Sequence, residues 1–264
     1  MNGIERHLVD GLSLLRRRGT APVICLHGIG SRSDSWREMF SALPDGRGAV
    51  AWDMPGYQGS RPIATPVPEA VHYAECLRDL VVALGLGPCV MIGHSLGALV
   101  AGAFVRIAPE QVSGLILADP ALGYAEKSSE AKAKVFERVV AFHDLGAEEY
   151  ARQRAARLLS ESASAEALSI VQSGMSALHE PAYARAVHML AHGNLYADLR
   201  HWHGPIHFIS GAQDIVTPPA GTHDLAERLA APFDLIAPAG HASYVERPRA
   251  FADLVARICD SWEY

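Results

Sequence analysis

Short apolar runs recur along the chain, and most are followed by a longer stretch whose apolar residues repeat at helical spacing. That alternation constrains the fold more tightly than any single motif. A strand that is apolar at every position needs cover on both faces. A chain that returns through a helix enters the next strand in the same direction. The runs fall at 23–26, 48–52, 89–92, 115–118, 206–210 and 233–236, with helices expected near 34–42, 69–84, 98–108, 220–229 and 248–261. In the second of these helices Ala70, Tyr73, Leu77, Leu80, Val81 and Leu84 share one face. Residues 6–9 and 12–16 flank Asp10-Gly11, a two-residue hairpin turn, and add antiparallel strands at one edge. The expected fold is α/β, a mostly parallel sheet of about eight strands flanked by helices.

Residues 121–200 break the rhythm. They hold helical stripes, Val135, Phe136, Val139 and Val140 in one and Tyr183, Val187, Leu190 and Ala191 in another, but no convincing strand. They are expected to form a helical cap inserted after the sixth strand, with 1–120 and 201–264 as the core.

Open parallel sheets bind ligands at the carboxyl ends of their strands. There the chain places Gly93-His94-Ser95-Leu96-Gly97, between an apolar strand and a helical pattern. A nucleophile on so tight a strand-to-helix turn needs glycine on both sides, and the helix start aims N–H groups at a nearby oxyanion. A serine also needs a base, and the base an orienting acid. Of thirteen histidines, His241 stands in a loop between the last strand and the last helix. Asp214 follows the strand at 206–210 and is the preferred acid; Asp119, ending the strand at 115–118, satisfies the same chain order and stays open.

On these residues the chain resembles the α/β-hydrolase superfamily, especially small bacterial members with a helical cap. The likeness spans about 23–120 and 205–256 and includes His27-Gly28, Gly211–Asp214, Gly240-His241, Glu246 and Pro248. The family's D-x-P-G-x-G-x-S loop corresponds to Asp53-Met54-Pro55-Gly56-Tyr57-Gln58-Gly59-Ser60, with Gln58 where glycine is usual. The resemblance implies an oxyanion hole built from the N–H groups of Ile29 and Leu96, and cleavage of a carboxylic ester or lactone through an acyl-enzyme. Related families cleave amides, thioesters or the carbon–carbon bonds of acidic ring-fission products, and a non-catalytic receptor on the same fold is a further alternative. Dehalogenases and epoxide hydrolases of this fold carry aspartate where Ser95 stands.

His27, Trp36, His94, Phe136 and Trp202 are candidate pocket residues, and Arg152, Arg154, Arg157 and Arg185 candidate anchors for a substrate carboxylate. No cofactor is expected, and no metal, because His201-Trp202-His203 lacks further ligands at matching intervals. A net charge of −6 argues against nucleic acid, and no apolar segment is long enough for a membrane span. The four scattered cysteines read as reduced thiols and the start of the chain lacks a secretory pattern, so a cytoplasmic monomer or homodimer acting on a small molecule is expected.

Overall fold

The computed structural model describes residues 3–262; residues 1, 2, 263 and 264, the outermost positions of the expected core segments, lie outside the described residues. The hairpin of β1 (Ile4–Val9) and β2 (Leu12–Arg17) turns at Asp10 and Gly11, with φ of 48° and 75°. Two successive positive φ values suit the twist of a two-residue turn, and Asp-Gly tolerates them. Then follow β3 (Thr20–Leu26), α1 (Arg37–Ala42), β4 (Arg47–Trp52), α2 (Ala70–Ala83), β5 (Cys89–His94), α3 (Leu96–Ile107) and β6 (Val112–Ala118). Four helices come next: α4 (Ser129–Arg154), α5 (Ala165–Ser176), α6 (Glu180–His192) and α7 (Leu195–Leu199). The chain closes with β7 (Ile206–Gly211), α8 (Pro219–Arg228), β8 (Phe233–Ile236), α9 (Ser243–Glu246) and α10 (Pro248–Trp262).

The eight strands form one sheet in the order β1-β2-β4-β3-β5-β6-β7-β8. Pairing is antiparallel for β1 with β2 and β2 with β4, and parallel elsewhere. Alternate side chains feed two separate cores: Ile24, Leu26, Met91, Leu115, Leu117 and Phe208 on one face. Val23, Cys25, Ile92, Ile116 and Ile209 face the other, with α1 and α10. None of the four cysteines is in a disulfide.

Two boundaries differ from expectation for visible reasons. The helix expected from residue 34 begins as a 3₁₀ turn, Ser33–Trp36, whose first residue is held by Asp53 through both its N–H and its hydroxyl. Strand β6 starts before the apolar run, at Val112, which pairs with Cys89; the run is interrupted at Gly114 because the indole of Trp262 lies where any Cβ would be.

From β3 the chain crosses one way to β4 and the other way to β5, so the sheet's switch point lies between β3 and β5. The crevice beyond a switch point is where such sheets bind ligands. Leu26 pairs with Gly93 there, and His27-Gly28 and Ser95 emerge side by side.

Candidate active site

Ser95 caps α3 with φ 51° and ψ −118°, a conformation that non-glycine residues rarely hold. Its neighbours explain how the turn is tolerated. A Cβ on Gly93 would stand 2.8 Å from the Ala98 Cα, and one on Gly97 would overlap the Leu26 carbonyl. Only glycine fits at either place. The Ser95 N–H donates to the Ala118 carbonyl (3.0 Å) and its own carbonyl accepts from Ala121 (3.0 Å), which fixes the elbow to the end of β6.

The Ser95 hydroxyl lies 2.9 Å from His241 Nε2, and His241 Nδ1 lies 2.8 Å from Asp214 Oδ2. All three are buried. Burial pushes the Asp214 carboxyl upward, but hydrogen bonds from His241, Thr217 and the Val216 N–H outweigh it and leave the group below its ordinary range. Asp214 therefore stays charged opposite His241.

Asp119 takes a different place. It accepts from the Gly211 N–H (2.7 Å) and the Ser243 hydroxyl (2.7 Å), and among the described residues it makes no hydrogen bond to His241. The Asp119 carboxyl thus ties β7 to α9, and of the two candidate acids it is Asp214 that the structure brings to His241. The nearby Ala121 N–H donates to the Ser95 carbonyl and not to Asp119. Complete burial and then the charge of Asp214 push the Asp119 carboxyl well up.

Thr217 was not anticipated. Its hydroxyl lies 2.7 Å from Asp214 Oδ2 and 3.1 Å from His241 Nδ1, while Asp214 Oδ1 accepts the N–H groups of Val216 and Thr217. The sequence signal was available: an aspartate followed within three residues by threonine in a Pro-terminated loop favours a turn closed by the carboxylate.

Ile29 and Leu96 border the cavity beside Ser95. Leu96 is the first residue of α3, so its N–H has no intrahelical acceptor. The Ile29 N–H donates to no other group among the described residues. The loop carrying Ile29 is held from beneath. His27 Nδ1 donates to the Gly28 carbonyl and Nε2 accepts the Met54 N–H, while Asp53 gathers Ser13, Ser33 and Arg6. Gln58 meets the loop's demand by taking φ 41° itself, with Gly59 at 84°.

The cavity above Ser95 has a volume of about 380 Å³. Of the five candidate pocket residues only His94 lines it. His27 is consumed by the two backbone bonds just named. Trp36 is fully buried, stacked on Tyr244 at 3.9 Å. Phe136 faces solvent beside His188 and His192, and Trp202 donates to the Pro205 carbonyl. Apolar residues at helical spacing serve packing as readily as binding, which is why sequence alone misplaced them. The wall is instead built by Tyr150, Leu158, Met175, Leu178, Tyr183 and Leu190.

His94 donates from Nε2 to the His241 carbonyl (2.8 Å), and burial, then His241, push its pKa down to about 3. Its Nδ1 is buried without a partner among the described residues. Among the described residues the side chains able to converge on a metal ion are His223, Asp224 and Glu227, exposed on α8 and absent from the cavity wall. His201 and His203 are not in that set.

An open parallel sheet with a serine, a histidine and a carboxylate in hydrogen-bonded series at its switch point defines a class, the α/β proteins that carry a nucleophile elbow. A family model described as "alpha/beta hydrolase fold" matches residues 21–248, and the chain belongs to that family. A thermophilic esterase from Thermogutta terrifontis superposes with a TM-score of 0.87 at 24% identity, covering 98% of this chain and 100% of that one. The enol-lactonase from Burkholderia xenovorans LB400 gives 0.81 at 20% identity, covering 97% and 100%. At such identities these likenesses speak for the fold alone. The pig 1-acylglycerol-3-phosphate O-acyltransferase ABHD5 is 34% identical over 109 residues, and human monoacylglycerol lipase ABHD6 is 32% identical over 113. Those alignments cover 40% of this chain and only 31% and 32% of the relatives' own lengths.

Proposed function

We propose that the chain is a serine hydrolase that cleaves a small-molecule carboxylic ester or lactone through an acyl-enzyme on Ser95. One observation carries the reading: the hydrogen-bonded series Ser95 Oγ, His241 Nε2, His241 Nδ1, Asp214 Oδ2, at 2.9 and 2.8 Å, borders a cavity of about 380 Å³. His241 takes the hydroxyl proton as Ser95 attacks the acyl carbon, then returns it to the departing alcohol. Asp214 fixes the tautomer with the proton on Nδ1 and stabilises the imidazolium that forms. The N–H groups of Ile29 and Leu96 hold the oxyanion, a contribution of about 3–4 kcal/mol per donor in comparable sites. Water activated by His241 releases the acyl group. Side chains and water suffice, so the reading needs no metal or cofactor. The helices of 121–200 act as the cap that shapes the acyl and alcohol pockets. Among the described residues no helix is long and apolar enough to cross a membrane.

The names of the similar proteins, esterases, an enol-lactonase and a monoacylglycerol lipase, support carboxylic ester chemistry as the reaction class. The test is labelling by a fluorophosphonate, wild type beside Ser95→Ala, with turnover of p-nitrophenyl esters, lactones and ring-fission dienones. Label on wild type alone, with ester or lactone turnover, is the expected result. Dienone turnover without ester turnover would move the assignment to carbon–carbon hydrolysis. A wild type that neither labels nor turns anything over would point to a ligand receptor.

A further inference from the structure

The cavity is lopsided in charge. Lys127, Arg138, Arg154 and Arg157 line it, and no aspartate or glutamate does. Among the described residues none of these four cations is paired with a carboxylate. Arg152, two residues before Arg154, shows the ordinary alternative: it pairs with Glu149 at 2.6 Å and lies outside the wall. Arg154 instead lies over the ring of Tyr150, 5.0 Å from its centroid.

Arg138 and Arg154 stand on the two arms of α4, which is broken at Gly146, where φ is 73° and ψ 162°. The break brings both arms to one cavity. Between them the hydroxyls of Tyr150 and Tyr183, buried and lining the same cavity, lie 2.6 Å apart. Two hydroxyls hold two protons and their mutual bond uses one, so one O–H is left as a donor with no acceptor among the described residues. The charges of Arg138 and Arg154 both reach Tyr183. Half-buried guanidinium groups without a counter-ion and an unspent phenolic donor form a site for an anion, which such forks bind with directed, charge-assisted hydrogen bonds.

We infer that the substrate carries an anionic group, a carboxylate or a phosphate, clasped by Arg138 and Arg154 beside the Tyr150–Tyr183 pair. Lys127 and Arg157, which are exposed, draw it toward the mouth. The inference rests on Ser95 as nucleophile for the bond that is cleaved, though not for the binding of the anion.

Matched substrates test it. Mono-p-nitrophenyl glutarate is compared with p-nitrophenyl pentanoate, and 1-acetylglycerol 3-phosphate with 1-acetylglycerol. The charged member of one pair should have a kcat/KM at least about tenfold above its neutral partner. That ratio should fall about tenfold or more in Arg138→Gln/Arg154→Gln, recover in part in Arg154→Lys, and stay unchanged in Arg152→Gln. A preference confined to the first pair assigns a carboxylate, and to the second a phosphate. Ratios near one in both pairs overturn the proposal. The Ser95→Ala protein is titrated calorimetrically with mono-p-nitrophenyl glutarate and with glycerol 3-phosphate. Binding that disappears with the two arginines, alongside a wild type without turnover, would sink the nucleophile reading and leave the anion site standing. Binding that survives their loss would sink the anion site.

Discussion

Two regions meet at the cavity and are held by different means. On the sheet's edge nearly every polar group is committed: Asp119 to Gly211 and Ser243, His27 to Gly28 and Met54, Asp214 to Val216, Thr217 and His241. On the wall raised by α4, the 3₁₀ turn that follows it and α6, Arg138 and Arg157 have no hydrogen-bond or ion-pair partner among the described residues, and one tyrosine O–H has none beyond the tyrosines' mutual bond. Committed groups fix positions to a few tenths of an ångström, which bond-making requires, whereas uncommitted ones are spent on whatever enters. In the proposed hydrolase, chemistry thus falls to the region that cannot relax and selection to the region that can.

The sharpest way to break this division is to exchange the two acids. Asp214→Asn should lower kcat by about 10⁴ while leaving the fold intact, because the imidazole loses its tautomer and its charge partner. Asp119→Asn should lower kcat by only about tenfold, with its main cost in stability, about 1–3 kcal/mol, since an amide offers one acceptor oxygen where two buried donors now have two. Steady-state kinetics and urea unfolding of both variants decide the matter, and equal losses of kcat would refute the distinction.

Next in size is the glycine elbow. Gly97→Ala forces a methyl into the Leu26 carbonyl, and stability should fall by about 2–4 kcal/mol in denaturant titrations. Ala substitution at Gly59, where a Cβ would meet nothing within 4 Å but φ is 84°, should cost only about 1 kcal/mol.

Acid should act on the committed region first. His94 is held neutral with a pKa near 3, below its unfolded value of about 6.5, so the unfolded chain binds the extra proton. Its contribution to stability is complete above about pH 6.5 and drains away as pH falls toward 3. Melting temperatures between pH 7 and 4 should drop less steeply in His94→Gln, which keeps a donor for the His241 carbonyl. Parallel curves would show that His94 is not responsible.

The smallest effect concerns the seam between the regions. Glu246 accepts from the N–H and hydroxyl of Ser160 and from the Gly240 N–H, tying the end of the α4 segment to the loop of His241. Glu246→Gln should cost about 1–2 kcal/mol and raise KM more than it lowers kcat.

Legibility in the sequence followed the same division. The sheet's order of strands and helices could be read because the central strands are apolar on both faces, and the elbow because it needs glycine on either side of Ser95. Ser95, His241 and Asp214 could be placed because the loops that carry them leave the carboxyl ends of β5, β8 and β7. The wall was harder. Arg154 and Arg157 were among four candidate arginines, yet nothing in helical spacing separates them from Arg152, which turns to Glu149, or from Arg185, which does not reach the cavity. Arg138 and Lys127 were missed outright, since their access depends on the break at Gly146 and on the packing of α4 against α6. A single glycine within a polar helical stretch carries several meanings, and only the tertiary fold selects one.

The hydrogen bond from Ser95 to His241 spans 146 positions of chain, and the strand that delivers His241 is the last to join the sheet in sequence order. Contacts so distant along the chain form late, after most loop-closure entropy has been spent. On the proposed mechanism, a nascent polypeptide that has already folded its first six strands exposes a strained serine with no base beside it, inert toward esters until the segment that carries His241 joins the sheet. Turnover then becomes a clock for the completion of folding, and refolding followed by ester hydrolysis should lag behind recovery of helical signal.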